Sequence, residues 1–264
     1  MDTSYAAPGA QSLAAARRHA ILCVMGASAA FTVSAALVKT VSGAVPVLEV
    51  MLCRSVMVTL ITLPLLLREG GWAALRPSRP WGHLARLATG FTGMATSFYG
   101  VAHLPLATNT ALGFCMPLFL TILSVPMLGE RVGWRRRAAV LVGLAGVLVM
   151  VRPWQGGAAA LDPVVVGVVI GGVVAWALSM ILIRQMGEQG ESNAAIVVWF
   201  GIGSTVLSGM LCIPGWVMPS LPQLAALLGV GAVTALAQLL MTEGYRSGET
   251  TVVAPFEYGA ILYT

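Results

Sequence analysis

PLATNTALGFCMPLFLTILSVPMLGERVGWRRRAAVLVGLAGVLVMVRP, residues 105–153, is the stretch that decides the fold. Two apolar runs flank a short polar hinge, residues 129–137, which holds four arginines. The first run has about the 20 residues that an α-helix needs to cross about 30 Å of hydrocarbon. The second run reaches that length when it begins near Trp134. Because positively charged loops stay on the cytoplasmic side, the stretch predicts a membrane hairpin with a cytoplasmic tip.

The composition of the whole chain agrees with a membrane protein. Of its 264 residues, 58% are hydrophobic and 9% are charged, whereas soluble domains average about 25% charged residues. The net charge of +5 comes from short loops between apolar runs, which indicates membrane topology and no nucleic-acid partner. The cysteines all lie within apolar runs and form no CxxC, so we expect buried thiols and no metal site.

The apolar runs predict an all-α, polytopic membrane protein with nine spans. Residues 1–16 are small and polar and are predicted to be a disordered tail. Basic residues before the first run also fit a signal peptide, but the run is longer than the usual apolar region of such peptides, which favours a retained helix. The predicted spans are residues 20–38, 45–67, 85–104, 107–128, 134–151, 163–183, 193–217, 221–243 and a ninth that begins near residue 251.

The basic residues predict the orientation of these spans. If the N-terminus is cytoplasmic, nearly all of the 15 lysines and arginines fall in inside loops or at inside helix ends, Arg86 among them. Lys39 and Arg152 would lie outside, and Arg54 lies within a span. This bias predicts a cytoplasmic N-terminus in the inner membrane.

An internal repeat accompanies this topology. The first span ends with FTVSAALVK (residues 31–39) and the sixth with WALSMILIR (residues 176–184), so an aromatic residue, a serine, a leucine and a terminal cation align without gaps. Similar connections follow both spans. An odd number of spans in each unit inverts the second unit in the membrane, which is a feature of many secondary transporters.

Several motifs, in a fixed order, make the sequence similar to a known family. They are Pro117, Gly129-Glu130-Arg131, the Gly143/Gly146 spacing, Arg152-Pro153, Gly244-Tyr245-Arg246 and Ala254-Pro255-Phe256-Glu257-Tyr258. With them the chain resembles the drug/metabolite transporter superfamily and its EamA-type repeat. The resemblance implies ten helices, five plus five, as an inverted repeat around a central cavity. The first repeat would be residues 17–153 and the second residues 154–264, which we expect to be incomplete because the chain ends within the ninth span.

Charged residues within the spans are the first candidates for a substrate site, because they are costly at membrane depth. At about 1.5 Å per residue, Arg54 lies about 13 Å and Glu49 about 6 Å into the second span. Arg54 either lines the cavity and holds an anionic group, or pairs with a neighbouring helix and fixes the packing. Glu49 has an interfacial or gating role, or binds substrate directly.

Glu257 is the matching candidate in the second repeat. It enters the ninth span from the inside to a depth of roughly 10 Å. Two opposite charges at similar depth lessen each other's desolvation cost. We therefore expect Glu257 to be the protonatable site or the group that neutralises Arg54, with a position facing a cytoplasmic vestibule as the alternative.

The resemblance also implies polar-tipped residues at the cavity, and several prolines can break or kink the spans by their residue type. The substrate-binding candidates of this kind are Tyr99, Asn109, Trp176 and Tyr258, although each could instead serve packing. Pro117 and Pro255 occupy comparable spans of the two repeats and are hinge candidates. Gly167 and Gly171 form a GxxxG, which predicts close helix packing first and a homodimer contact second.

The sequence therefore predicts a secondary active transporter of small organic metabolites, amino-acid or nucleoside-like, that works by alternating access. It contains no GxxxxGK[ST], no HExxH and no G-x-S-x-G, so we expect no ATP-driven motor, no enzyme activity and no cofactor. The arrangement of Glu49 and Arg54 resembles the S-adenosylmethionine uptake branch of the superfamily. Expected partners are a small solute, the lipid bilayer and a coupling proton. A structural scaffold and an intramembrane enzyme are the alternatives.

Overall fold

The computed structural model describes residues 10–41, 43–130 and 161–256, and between 130 and 161 only residues 133, 134, 138, 142, 145, 146 and 149. Every regular element in these residues is helical. The first half contains α1 (Ala10–Val41), α2 (Val47–Gly70), a short 3-10 turn (Gly71–Leu75), α3 (Pro80–His103), α4 (Leu106–Gly113) and α5 (Met116–Leu128). The second half contains α6 (Pro163–Glu188), α7 (Asn193–Cys212), a 3-10 turn (Ile213–Gly215), α8 (Leu221–Ser247) and α9 (Thr250–Val253).

Local capping explains where the helices of the second half begin. The Asp162 side chain accepts a hydrogen bond from the backbone N–H of Val164 (2.8 Å), and the Ser192 hydroxyl accepts one from Ala195 (3.1 Å). Ser220 begins α8 with a capping box that includes Gln223. Serine and aspartate are preferred at this position because they satisfy N–H groups that have no partner within the helix.

The helices pair between the two halves of the chain. α1 packs along α8, α3 along α6, and α2 against both α7 and α8. The largest group of buried apolar side chains accordingly draws on both halves, from Ala20 and Val24 of α1 to Met180 of α6 and Met241 of α8. Within the same packing, the hydroxyl groups of Ser34 and Thr234 are hydrogen-bonded at 2.8 Å, 200 residues apart in the chain.

The outer surface of the bundle is apolar, as in a protein that faces lipid. Six helical segments in the described part of the chain are long and apolar enough to cross a membrane, one of them residues 111–128 at the end of α4 and in α5. At most 44% of the 18-residue apolar stretch in each is buried. The side chains on their outer faces include Leu22, Leu60, Ile122, Val164 and Leu236, which are all exposed. Lipid covers such surfaces at no cost in free energy, and the chain is a multi-pass membrane protein.

Contacts at the helix ends show which ends lie together. Arg17 and Glu249 approach to 3.5 Å, and the Gln185 amide donates to the Met127 carbonyl (3.1 Å). At the other end, the Glu49 carboxylate accepts a hydrogen bond from Val217 N–H. We call the end with the Arg17 and Gln185 contacts the basic end; it is made of residues 17–19, 68–79, 127–130, 184–191 and 243–250. We call the end with the Glu49 contact the opposite end.

The structure departs from the predicted spans in four places. Residues 10–16, expected in a disordered tail, belong to α1, and α3 begins at Pro80 instead of residue 85. The predicted fourth span is two helices, α4 and α5, separated at residues 114–115. The seventh span ends at Cys212 and is followed by a 3-10 turn that contains Pro214. Most of the predicted fifth span lies outside the described residues.

One packing prediction on α6 was wrong. A Cβ atom added at Gly167 or Gly171 would meet nothing within 4 Å in the described structure, so these two glycines make no close helix contact there. The close approach is made by Gly172, where a Cβ would collide with the Thr96 side chain of α3. The periodic motif is therefore one residue away from the interface, and its use as a homodimer contact stays a prediction.

Candidate functional site

Arg54 lies on α2 at membrane depth. It is seven residues after the first residue of the helix, or about 10 Å at 1.5 Å per residue. Its Cα lies against Gly231 of α8, since a Cβ added there would be 3.6 Å away, and its side chain is half-buried. A half-buried cation that faces a neighbouring helix at membrane depth is expected to line an internal cavity. Among the described residues, the guanidinium forms no ion pair at 4.0 Å or less.

A second arginine, Arg86, is also buried inside the bundle. Sequence reasoning counted it among the residues of cytoplasmic loops and helix ends; the structure has it in the second turn of α3, with a side chain that is 1% exposed. Its Nη1 donates a hydrogen bond to the Ser179 hydroxyl of α6 (2.6 Å). Its guanidinium carbon lies 4.1 Å from the ring centroid of Phe200 of α7. The available sequence signal was Gly90, one turn further along α3, because a Cβ there would collide with the guanidinium.

Glu49 is held by backbone at the opposite end of the bundle. It lies in the first turn of α2 and is 1% exposed. One carboxylate oxygen accepts the hydrogen bond from Val217 N–H, and the other, Oε2, is buried without a hydrogen bond. The contact fixes the connection between α7 and α8. Of the two roles considered for Glu49, this position is compatible with the interfacial or gating role.

Three other candidates lie on α3, α4 and α6. Asn109 of α4 is 8% exposed, and its side-chain oxygen would meet a Cβ added at Gly100 of α3. A Cβ added at Gly93 of α3 would likewise meet the Trp176 side chain of α6. Tyr99 is 38% exposed, and its ring stacks on that of His103 with centroids 4.1 Å apart. The described structure therefore gives Asn109 and Trp176 packing contacts and leaves Tyr99 accessible at the opposite end.

Both hinge candidates lie beside a change in helical structure. Pro117 lies in the first turn of α5, directly after residues 114–115, where the predicted span is interrupted. Pro255 follows α9 in a 3-10 segment that covers residues 254–256. Glu257 and Tyr258 lie outside the described residues. Their predicted roles at the cavity rest on the sequence.

A glutamate at the basic end binds the start of a helix that is distant in sequence. Glu191, after α6, accepts hydrogen bonds from the backbone N–H groups of Ser78 (2.9 Å) and Arg79 (3.2 Å), just before α3. His83 lies 3.5 Å from the same carboxylate and is 6% exposed. Burial lowers the pKa of His83, and Glu191 acts in the opposite direction.

Several buried polar atoms around α3 and α7 have no hydrogen-bond partner in the described structure. They include Arg86 Nε and Trp199 Nε1, which can only donate. Trp199 precedes Phe200 on α7, and its ring lies 6.0 Å from that of His83. Unsatisfied donors in a protein interior call for a water, an ion or a ligand. Among the described residues, no group of three or more His, Cys, Asp or Glu side chains could hold a metal ion.

Residues 18–152 match the model of the EamA-like transporter family. The chain is 32% identical to the riboflavin transporter of Rhizobium johnstonii over 75% of this chain and 64% of that protein, so it spans less than two thirds of that relative. It is 30% identical to the pseudopaline exporter CntI of Pseudomonas aeruginosa over 93% of this chain and 85% of the exporter. It is 27% identical to the S-adenosylmethionine uptake transporter of Rickettsia prowazekii over 80% and 69% of the two chains.

A solved crystal structure shares the fold. It superposes with a TM-score of 0.75 and covers 96% of this chain and 87% of its own length. The two sequences are 18% identical. At this identity the similarity concerns the arrangement of helices alone.

Proposed function

Because the chain belongs to the EamA-like transporter family, we propose that it moves small organic metabolites across the inner membrane by secondary active transport. Amino-acid or nucleoside-like solutes are the expected class. The observation that carries this proposal is Arg54, a cation in a membrane-spanning helix that stays partly accessible inside the bundle. Ionisable residues within spans face a bundle interior or a water-filled cavity and mark substrate paths. The names of the relatives, which are transporters of metabolites, support the same class of function.

The helix pairing supports an inverted repeat, with residues 17–153 as one unit and 154–264 as the other. If α1, α2 and α3 correspond to α6, α7 and α8, exchanging the two units turns the α1–α8 contact into the α6–α3 contact. Both contacts are present and extensive, and the α2–α7 contact maps onto itself. Transporters with inverted repeats rock one unit against the other around a central site. We therefore propose alternating access as the mechanism.

The basic end is the cytoplasmic end in this proposal, because seven of the ten described lysines and arginines lie there. Arg54, with Glu257 and Tyr258 of the second unit, would bind solute, and Trp176 and Asn109 would shape the site. Tyr99 and Glu49 would act nearer the outer opening. Pro117 and Pro255 would be hinges, since a break in each unit gives the moving helices a place to bend. Glu257 would take up the coupling proton.

Uptake into proteoliposomes tests the transport proposal. The purified chain is reconstituted and assayed with radiolabelled riboflavin, S-adenosylmethionine and a set of amino acids, with and without a pH gradient. We expect uptake of at least one solute, and Arg54→Gln to reduce it at least tenfold. Arg76→Gln is the matched control, because it removes one arginine from an exposed loop at the basic end. Failure of every solute to move, in a protein that remains folded, would favour the scaffold alternative.

A further inference from the structure

Arg54 and Arg86 come from different helices, α2 and α3, that both pack against α7. Arg86 contacts Phe200 of α7, and the next residue, Gly201, lies against Thr59 of α2, five residues after Arg54. Two like charges in a low-dielectric interior repel each other, and each also loses its hydration. Proteins hold such pairs where a negative partner is present for at least part of the working cycle.

The described residues do not supply that partner. The ion pairs among them all lie at the basic end, and the carboxylates they use are Glu188, Glu191, Glu243 and Glu249. Glu49 is committed to Val217 N–H at the opposite end. Arg86 has a hydroxyl and an aromatic ring as partners, and neither of these carries a charge.

The surroundings of Arg86 hold its guanidinium in one orientation. Ser179 accepts from one terminal nitrogen, Phe200 covers the face of the group, and Gly90 leaves the space in which it lies. An arginine fixed in this way is pre-organised for the two parallel hydrogen bonds by which guanidinium groups bind carboxylate or phosphate. Its Nε is buried and has no hydrogen-bond partner in the described structure, so a donor remains for an incoming acceptor.

We propose that Arg54 and Arg86 together form a binding site for the anionic group of the transported solute, a carboxylate or a phosphate. Arg54 is partly accessible and meets the anion first, whereas Arg86 is 1% exposed and is occluded in this conformation. The solute class is then a small organic anion or a zwitterion with an acidic group. This inference rests on the proposed transport function and adds to it a second arginine and the charge of the solute.

Anion binding can be measured without transport. The purified protein in detergent is titrated with sodium citrate and, separately, sodium phosphate at constant ionic strength, and thermal unfolding is followed by tryptophan fluorescence. A ligand that binds only the folded state raises the unfolding midpoint in a saturable way. We expect this rise for the unaltered chain. Arg54→Gln and Arg86→Gln should each weaken the apparent affinity at least tenfold, while Arg76→Gln should leave it unchanged.

Arg86→Lys keeps the test valid if Arg86→Gln does not fold. Lysine retains the charge but loses the planar fork, so we expect an affinity between those of the unaltered chain and of Arg54→Gln. The proposal is overturned if neither anion raises the midpoint beyond the effect of matched chloride. It is also overturned if Arg54→Gln and Arg86→Lys respond to the anions as the unaltered chain does, because water or packing then satisfies both groups.

The same preparation separates this inference from the transport proposal. If citrate or phosphate binds through both arginines but no solute enters proteoliposomes, the anion site stands and transport is refuted. If riboflavin or S-adenosylmethionine enters and no anion binds, transport stands and the anion site is refuted. A third outcome would support both the anion site and transport. Riboflavin 5′-phosphate would inhibit uptake at least tenfold more strongly than riboflavin does, and this difference would be lost in Arg86→Lys.

Discussion

The Glu130 carboxylate accepts hydrogen bonds from the backbone N–H groups of Thr250 (3.0 Å) and Thr251 (3.1 Å), one through each oxygen. Glu130 follows α5 in the first half of the chain, and Thr250 begins α9 in the second half. The carboxylate thus satisfies two N–H groups that have no partner within α9. One side chain of the polar hinge holds the starting point of the last described helix.

Glu130→Ala should destabilise the protein by about 1–3 kcal/mol, because it removes two hydrogen bonds to a charged group at a helix start. The measurement is the midpoint of thermal unfolding in detergent, with hydrogen exchange at Thr250 and Thr251 as the local readout. Glu188→Ala is the matched control. It removes an exposed carboxylate that pairs with Arg184 at 2.8 Å, a contact of the kind that contributes about 0.3–0.5 kcal/mol. Equal losses in the two variants would contradict the proposed role.

Gly172→Ala should destabilise the α3–α6 interface, whereas Gly171→Ala should not. A Cβ at position 172 would collide with Thr96, and overpacking of this kind costs about 1–3 kcal/mol. Gly171 has open space around its Cβ position, so alanine there gains helix propensity of up to about 1 kcal/mol. Thermal unfolding of the two neighbouring variants is the measurement. A destabilised Gly171→Ala would instead indicate that this face contacts a second copy of the chain.

His83 should make the protein less stable as the pH falls. Its folded-state pKa is lowered by burial, against the opposing effect of Glu191, which is the carboxylate that faces it. The unfolded state therefore binds the proton more readily. The stability contributed by neutral His83 is fully present above the ordinary histidine pKa of about 6.5, and it is lost as the pH falls from there through the lower folded-state pKa.

The measurement is the midpoint of thermal unfolding at a series of pH values between 7.5 and 5. His83→Gln should reduce the loss of stability on acidification, because glutamine takes up no proton. His103→Gln, which alters an exposed ring at the opposite end, should leave the pH dependence unchanged. If His83→Gln made the acid loss larger, the ion pair with Glu191 would outweigh the burial of His83.

Glu49→Ala should release the connection between α7 and α8, and Glu49→Gln should largely retain it. Glutamine keeps an oxygen that can accept from Val217 N–H, whereas alanine leaves this N–H without its partner. Hydrogen exchange of residues 213–220 is the measurement, and exchange should accelerate in Glu49→Ala alone. Unchanged exchange in both variants would show that other contacts hold the segment. A loss of solute binding without faster exchange would favour direct binding by Glu49.

The positions of the spans could be predicted from the sequence because the membrane sets a minimum length for each apolar run. The second predicted span, residues 45–67, corresponds to α2 (Val47–Gly70). The eighth, residues 221–243, corresponds to α8 (Leu221–Ser247). The ends differ by a few residues, because helices continue into the interface beyond the apolar core, where hydropathy carries no signal.

The position of the break in the fourth span could be predicted from the sequence, but its role could not. Pro117 was identified as a helix breaker from its residue type. A proline ring clashes with the carbonyl four residues earlier, which is that of Gly113, and α4 ends at this residue. The separation into two helices therefore follows from a local rule, whereas the role of the break in transport depends on motions that a sequence pattern does not describe.

Apart from Gly90, which leaves space for its guanidinium, the segment of Arg86 does not indicate its partners. In hydropathy terms, an arginine in the second turn of a helix is a charge at the interface. Its partners Ser179 and Phe200 lie on α6 and α7, and nothing in residues 80–103 indicates that they meet it. For the same reason, the candidates that depend on contacts between distant helices, such as Asn109 and Trp176, were named without their neighbours.

The hydrogen bond between Ser34 and Thr234 has a consequence for biosynthesis. α1 packs mainly against α8, so α1 is made long before its chief partner among the described helices. Until α8 is made, the Ser34 hydroxyl lacks the Thr234 hydroxyl to which it is bonded in the folded protein. The helices made between α1 and α8 must be inserted in the correct orientation, and they must leave accessible the face of α1 on which α8 will pack. The time between these two events is when nascent chains are open to misassembly and to quality-control proteases.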